Sequence, residues 1–165
     1  MTSITPKDGD AARRRRRTIT EIKDSLRVLS VQLALLNHQV GAHADLKDAD
    51  LSCLELINRL GPLSPSALAR RTGLHPATMT GILDRLQRGG WITRERDPQA
   101  DDRRAVTIRA LRDRNAELFD LYAGMSAAMD DLCAGYDTQQ LDMLAEFLRR
   151  TTDAGQAATG KLAER

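Results

Sequence analysis

Apolar residues at Ile19, Ile22, Leu26, Leu29, Leu33, Leu36 and Val40 step by three and four without a break, which keeps one stripe on one face of a long helix. Val28, Val31 and Leu35 widen the stripe to a second flank. One helix buries one stripe easily, so the extra flank predicts contact with another subunit as well as with its own core. Leu51, Leu54, Ile57 and Leu60 repeat the spacing in a second helix, and Gly61-Pro62 stops it. After Leu111 the period returns with Leu118, Leu121, Met125, Met129 and Leu132 on one face of a long helix. Asp137 and Gln140 form a capping-box pattern that opens a last helix through Leu141, Leu144 and Leu148.

Between these helices the pattern changes. In LSPSALARRTG, Ser64 is a good N-cap, Pro65 suits the first turn and Gly73 closes a short helix. HPATMTGILDRLQRGG opens another, with Pro76 at the first turn and Gly89-Gly90 as its stop. Two short helices joined around a glycine predict a helix-turn-helix, in which Leu68, Ala69, Met79 and Ile82 sit where the helices touch. Val106, Ile108 and Ala110 alternate with Thr107 and Arg109, the period-two signal of a half-buried strand. Paired with Trp91–Arg96 it makes a hairpin, and Asp97-Pro98 starts its long polar tip.

Composition agrees with a mainly α chain, since aromatic residues make up only 3% of it. The net charge of +2 conceals local asymmetry, with basic residues gathered at Arg13–Arg17 and again from Arg70 to Arg112. The expected organisation is a disordered basic tail over 1–17, an N-terminal dimerisation helix over 18–45, a winged helix-turn-helix domain over 46–112, C-terminal helices over 113–152, to which the family resemblance given below assigns dimerisation, and a flexible tail over 153–165. Two well-separated cysteines, Cys53 and Cys133, and the lack of a signal-like or membrane-spanning stretch lead us to expect a cytoplasmic, soluble protein. His38 and His43 lack neighbours at metal-ligand spacing. Neither a phosphate-binding glycine loop nor a catalytic acid pair or triad is evident, so no enzyme, metal or cofactor is expected.

LSPSALARRTGLHPATMTGILDRLQRGGWI followed by RERDPQADDRRAVTIRAL resembles the MarR family of bacterial transcriptional regulators, and the likeness extends over nearly all of Ile19 to Arg150. Asp102 and Arg104, just before the second strand, match the family's Asp-x-Arg wing signature. The resemblance implies a homodimer with interleaved terminal helices, recognition helices in successive major grooves, wings towards the minor groove, and a double-stranded DNA operator. It also implies a repressor released by a small, often aromatic, effector.

Residue by residue, His75, Thr78 and Thr80 lie at the start of the recognition helix, where side chains reach base edges; each has an ordinary alternative as a cap or a solvated group. Family members often carry a larger polar or basic residue near Gly81, so readout is expected to shift to Thr78, Thr80 and Gln87. Arg85 is expected to contact phosphate unless Asp84 or Glu95 pairs with it. On the wing, Arg103 and Arg104 are DNA candidates, Asp102 is placed to orient Arg104, and Asp97 and Asp101 suit turn formation. Two rival functions remain at this level: a thiol-based redox regulator acting through Cys53 or Cys133, and a non-specific architectural DNA-binding protein.

Overall fold

The structure is a computed structural model that describes residues 6–96 and 106–163. Its described residues form α1 (Pro6–Ala44), α2 (Asp48–Leu60), α3 (Pro65–Thr72), α4 (Pro76–Arg88), β1 (Ile92–Arg96), β2 (Val106–Ala110), α5 (Arg112–Leu121), α6 (Ala123–Cys133) and α7 (Thr138–Ala163). The strands pair antiparallel with Ile92 opposite Ala110 and Arg96 opposite Val106. Leu63 adds a bridge on the other edge of β2, exchanging both backbone hydrogen bonds with Ile108 at 3.1 and 2.7 Å.

The core sits where α2, α3, α4 and the hairpin meet. Leu54, Ile57, Leu68, Met79, Ile82, Leu83, Leu86, Ile92 and Ile108 are all at most 1% exposed. Each is an apolar position of a helical or alternating pattern, so burial follows the sequence period. Trp91 and Leu118 close the hairpin side, and Val40 is the buried anchor that attaches the end of α1. Asn115, 3% exposed, ties the base of the hairpin to two helices. Its Nδ2 donates to the carbonyls of Trp91 and Leu111, and its Oδ1 accepts from Asn58.

Three boundaries differ from expectation. Residues 1–5 of the expected tail lie outside the described residues, but from Pro6 onward the chain is helical through the arginine run. Pro6 suits a first turn, and Ala and Arg are among the best helix formers. Five consecutive arginines fan about 100° apart around the axis rather than stacking on one face. At the other end α7 continues to Ala163, since loss of an apolar stripe does not stop a helix rich in alanine. The long helix expected after Leu111 is interrupted at Tyr122, whose N–H turns to the Phe119 carbonyl and whose hydroxyl donates to Asn37 Oδ1 of α1 at 2.8 Å.

Candidate nucleic-acid interface

Local chemistry builds the helix-turn-helix. The Ser64 hydroxyl accepts from the Ala67 N–H at 3.2 Å and caps α3. Gly73 lies at φ 68°, the left-handed region that a side chain would strain, and turns the chain towards α4. His75 then caps α4, its Nδ1 accepting from the Ala77 N–H at 3.3 Å. The capping alternative for His75 is therefore present, while its ring stays exposed.

On α4 the buried Met79, Ile82, Leu83 and Leu86 define one side. Ala77, Gly81, Asp84 and Arg88 step by four, three and four and so share the opposite side. Thr78 and Arg85 flank that strip on one edge, Thr80 and Gln87 on the other. The structure thus brings His75, Thr78, Thr80 and Gly81 together on the first two turns. The Thr80 hydroxyl donates back to the Pro76 carbonyl at 3.0 Å.

Arg85 has a partner that the sequence did not indicate. Neither Asp84 nor Glu95 pairs with it; its Nε and Nη2 donate to the two carboxylate oxygens of Asp50 at 2.8 and 2.6 Å. Asp50 belongs to the first turn of α2 and is 2% exposed. Its carboxylate, chiefly through this hydrogen bond, pushes the Arg85 guanidinium further up from an already basic value. A bidentate pair of this kind fixes orientation, and it engages two of the nitrogens that a phosphate contact would use. Asp84 instead pairs with Arg94 of β1 at 2.5 Å, and Glu95 with Arg109 of β2 at 3.0 Å. The recognition helix is consequently tied to α2 on one side and to the wing on the other. Asp50 was detectable in principle, because it lies in line with Leu54 and Ile57 on the buried side of α2, an unusual place for an unpaired acid.

Asp102, Arg103 and Arg104, with Asp97 and Asp101, lie outside the described residues. The described arms of the hairpin carry Arg94 and Arg96 on β1 and Arg109 on β2, all exposed. Behind the end of α4, a cavity of about 490 Å³ is lined by Lys47, Asp50, Arg85, Arg88, Trp91 and Arg114, among others. The Arg114 guanidinium lies 4.6 Å from the centre of the Trp91 ring, a cation–π contact at the wing base.

Cys53 is 1% exposed, and burial followed by the charge of Asp50 pushes its thiol up to about 11. A protonated, enclosed thiol is a poor nucleophile, which weighs against redox sensing there. Cys133 is half-buried at the end of α6. No cluster of three or more His, Cys, Asp or Glu side chains suited to a metal occurs among the described residues, and none of their helices is long and apolar enough to cross a membrane.

A capped helix-turn-helix followed by a two-stranded hairpin makes this a winged helix-turn-helix protein. The MarR family model matches residues 46–106, which span α2 to the start of β2. The uncharacterized HTH-type transcriptional regulator YcgE of Bacillus subtilis (strain 168) is 33% identical over 120 residues, covering 72% of this chain and 77% of that one. The HTH-type transcriptional repressor YetL of the same organism is 30% identical over 86 residues, covering 52% and 50%. A MarR family protein of Bacillus stearothermophilus has the same fold, with a TM-score of 0.63 at 19% identity, covering 84% of this chain and 96% of its own. The chain belongs to the MarR family and is an HTH-type transcriptional regulator.

Proposed function

We propose that the protein is a homodimeric, sequence-specific repressor that binds a pseudo-palindromic operator and releases it when a small molecule binds. The observation that carries this is the recognition helix itself, packed on one side and open on the other, with its angle fixed by Asp50 and Arg94. Two copies held by their long helices would present two such faces to half-sites about 34–36 Å apart. Exposed apolar residues support that pairing: Leu29, Val31 and Leu35 on α1, Leu132 on α6, and Met143 and Phe147 on α7 are 41 to 64% exposed in the single chain. Patches of that kind are covered in stable proteins.

For the effector we propose the cleft of about 750 Å³ between α1, α2, α5 and α6, where Leu33, Leu56, Phe119, Tyr122, Met125 and Met129 supply an apolar lining suited to an aromatic molecule. α2 forms one wall of it and also carries Asp50, so a ligand that shifts α2 shifts the recognition helix. At the wing, Asp102 orients Arg104 and both Arg103 and Arg104 meet DNA.

Binding titrations on DNA fragments selected by the protein test the reading. Selected fragments should bind at least a thousandfold more tightly than random duplex at matched salt, in the usual range for specific recognition. Equal affinity for the two supports an architectural protein instead. Asp102→Ala should weaken binding although it adds positive charge; tighter binding means that the acid merely repels DNA. Arg104→Ala should weaken binding and lower the salt slope by about two, one for each protomer on the operator.

A further inference from the structure

The two N-terminal turns of α4 carry no long polar side chain towards the side opposite the core. Ala77 and Gly81 occupy its centre, with Thr78 and Thr80 at its edges. His75 is engaged as the cap, Arg85 is held by Asp50 and Asp84 by Arg94, while Gln87 and Arg88 come only in the last turn. Besides the exposed His75 ring and the two threonine hydroxyls, of which that of Thr80 is turned back to the Pro76 carbonyl, the groups that lie where a recognition helix reads bases are a methyl group on Ala77, one each on Thr78 and Thr80, and bare backbone at Gly81.

Gly81 supplies a second, independent observation. A mid-helix glycine costs roughly 0.5–1 kcal/mol relative to alanine, and Gly81 differs from the equally uncrowded Gly155 and Gly160 of α7 in lying on the strip of the recognition helix that faces away from the core. Nothing among the described residues requires a glycine there. Its backbone is not in the left-handed region, and a Cβ built on it would meet only the end of the Arg85 side chain, at an ordinary 3.6 Å. A requirement from outside the protein, the close approach of another molecule to this turn, accounts for it.

We infer that α4 reads its operator through thymine C5-methyl groups, packed against Ala77, Thr78 and Thr80, with Gly81 letting the helix backbone descend close to the base edges. This rests on the proposed operator binding and specifies its chemistry: half-sites with thymines beneath the first two turns of α4, and no arginine–guanine contact from this helix. Apolar contact to the thymine methyl is a recognised mode of major-groove readout.

The test uses the full-length protein and duplexes selected from a random library. Replacing half-site thymines by uracil removes only the methyl, which faces the major groove, and leaves the minor groove seen by the wing unchanged. Each methyl lost at a contacted position should weaken binding about fourfold, the worth of one buried methyl-sized group. Thr78→Ser removes one methyl from each protomer and should bind roughly sixteenfold more weakly, and Thr78→Val, which keeps the methyl contact, should lose less than Thr78→Ser. Gly81→Ala should raise the melting temperature, as alanine favours helix, and yet weaken operator binding at least tenfold. Selected half-sites lacking thymine, unchanged affinity of the uracil duplex, undiminished binding by Gly81→Ala, or loss in Thr78→Val but not in Thr78→Ser would each overturn the inference while leaving sequence-specific binding intact. Equal affinity for selected and random duplex overturns both.

Discussion

The helix-turn-helix with its hairpin and the terminal helices α1, α6 and α7 use similar numbers of leucines to opposite effect. In the first region Leu54, Leu68 and Leu86 are fully buried, and Asp84 and Arg85 of α4 are paired with Arg94 and Asp50. In the second, Leu144 and Leu148 remain 38 and 48% exposed although their spacing is as regular. Periodicity thus states that a face is apolar without stating what covers it. A short chain of helices around a hairpin covers its own face, whereas a helix of 39 residues such as α1 extends far beyond the domain that anchors it at Val40. The difference marks one region as a folding unit and the other as a surface completed from outside, which under our proposal is a second copy.

Substitutions separate the two regions. Leu54→Ala should lower the unfolding free energy by about 2–5 kcal/mol, read from a denaturant midpoint, because it opens a cavity in an enclosed site. Leu144→Ala at low protein concentration should change that midpoint far less and instead weaken self-association; equal losses at the two sites would erase the contrast. Next in size, Arg85→Ala should cost more than Asp50→Ala, on the order of 1–3 kcal/mol against less, since the first strands a buried carboxylate and the second leaves a part-solvated guanidinium. The reverse order would mean that the pair does not hold α4 in the way its geometry indicates. Ser64→Ala should cost about 1 kcal/mol, the usual value of an N-cap, and Ser64→Gly a few tenths. The smallest perturbation is chemical. A thiol reagent at neutral pH should modify Cys133 well before Cys53, whose thiol stays protonated until pH approaches about 11 and whose side chain is enclosed. Rapid labelling of Cys53 in the folded protein would reopen redox sensing.

Legibility from the sequence followed the range of the interaction involved. Ser64, His75 and the reciprocal bonds between Asp137 and Gln140 act over two or three residues, so the starts of α3, α4 and α7 were readable from residue types alone. The interruption at Tyr122 was not, as it coincides with a hydrogen bond to Asn37, 85 positions away. Asp50 and Arg85 are 35 positions apart, and a phosphate-seeking arginine looks the same in sequence as one committed to a buried acid. The family likeness supplied the overall architecture, and departures from it at Gly81 became informative only once the neighbours of α4 were located. The early start of α1 and the late end of α7 were missed because tail-like composition was taken to exclude helix, although alanine and arginine favour it.

The claim on which the rest depends is that the long helices are completed by a second copy of the chain. Sedimentation of the purified protein, alone and on a selected operator fragment, tests it directly. The account predicts a particle of about twice the 18.3 kDa chain mass in free solution at micromolar concentration, and two chains on each operator. A protein that stays at the single-chain mass and still saturates the operator one to one, with full affinity, contradicts it.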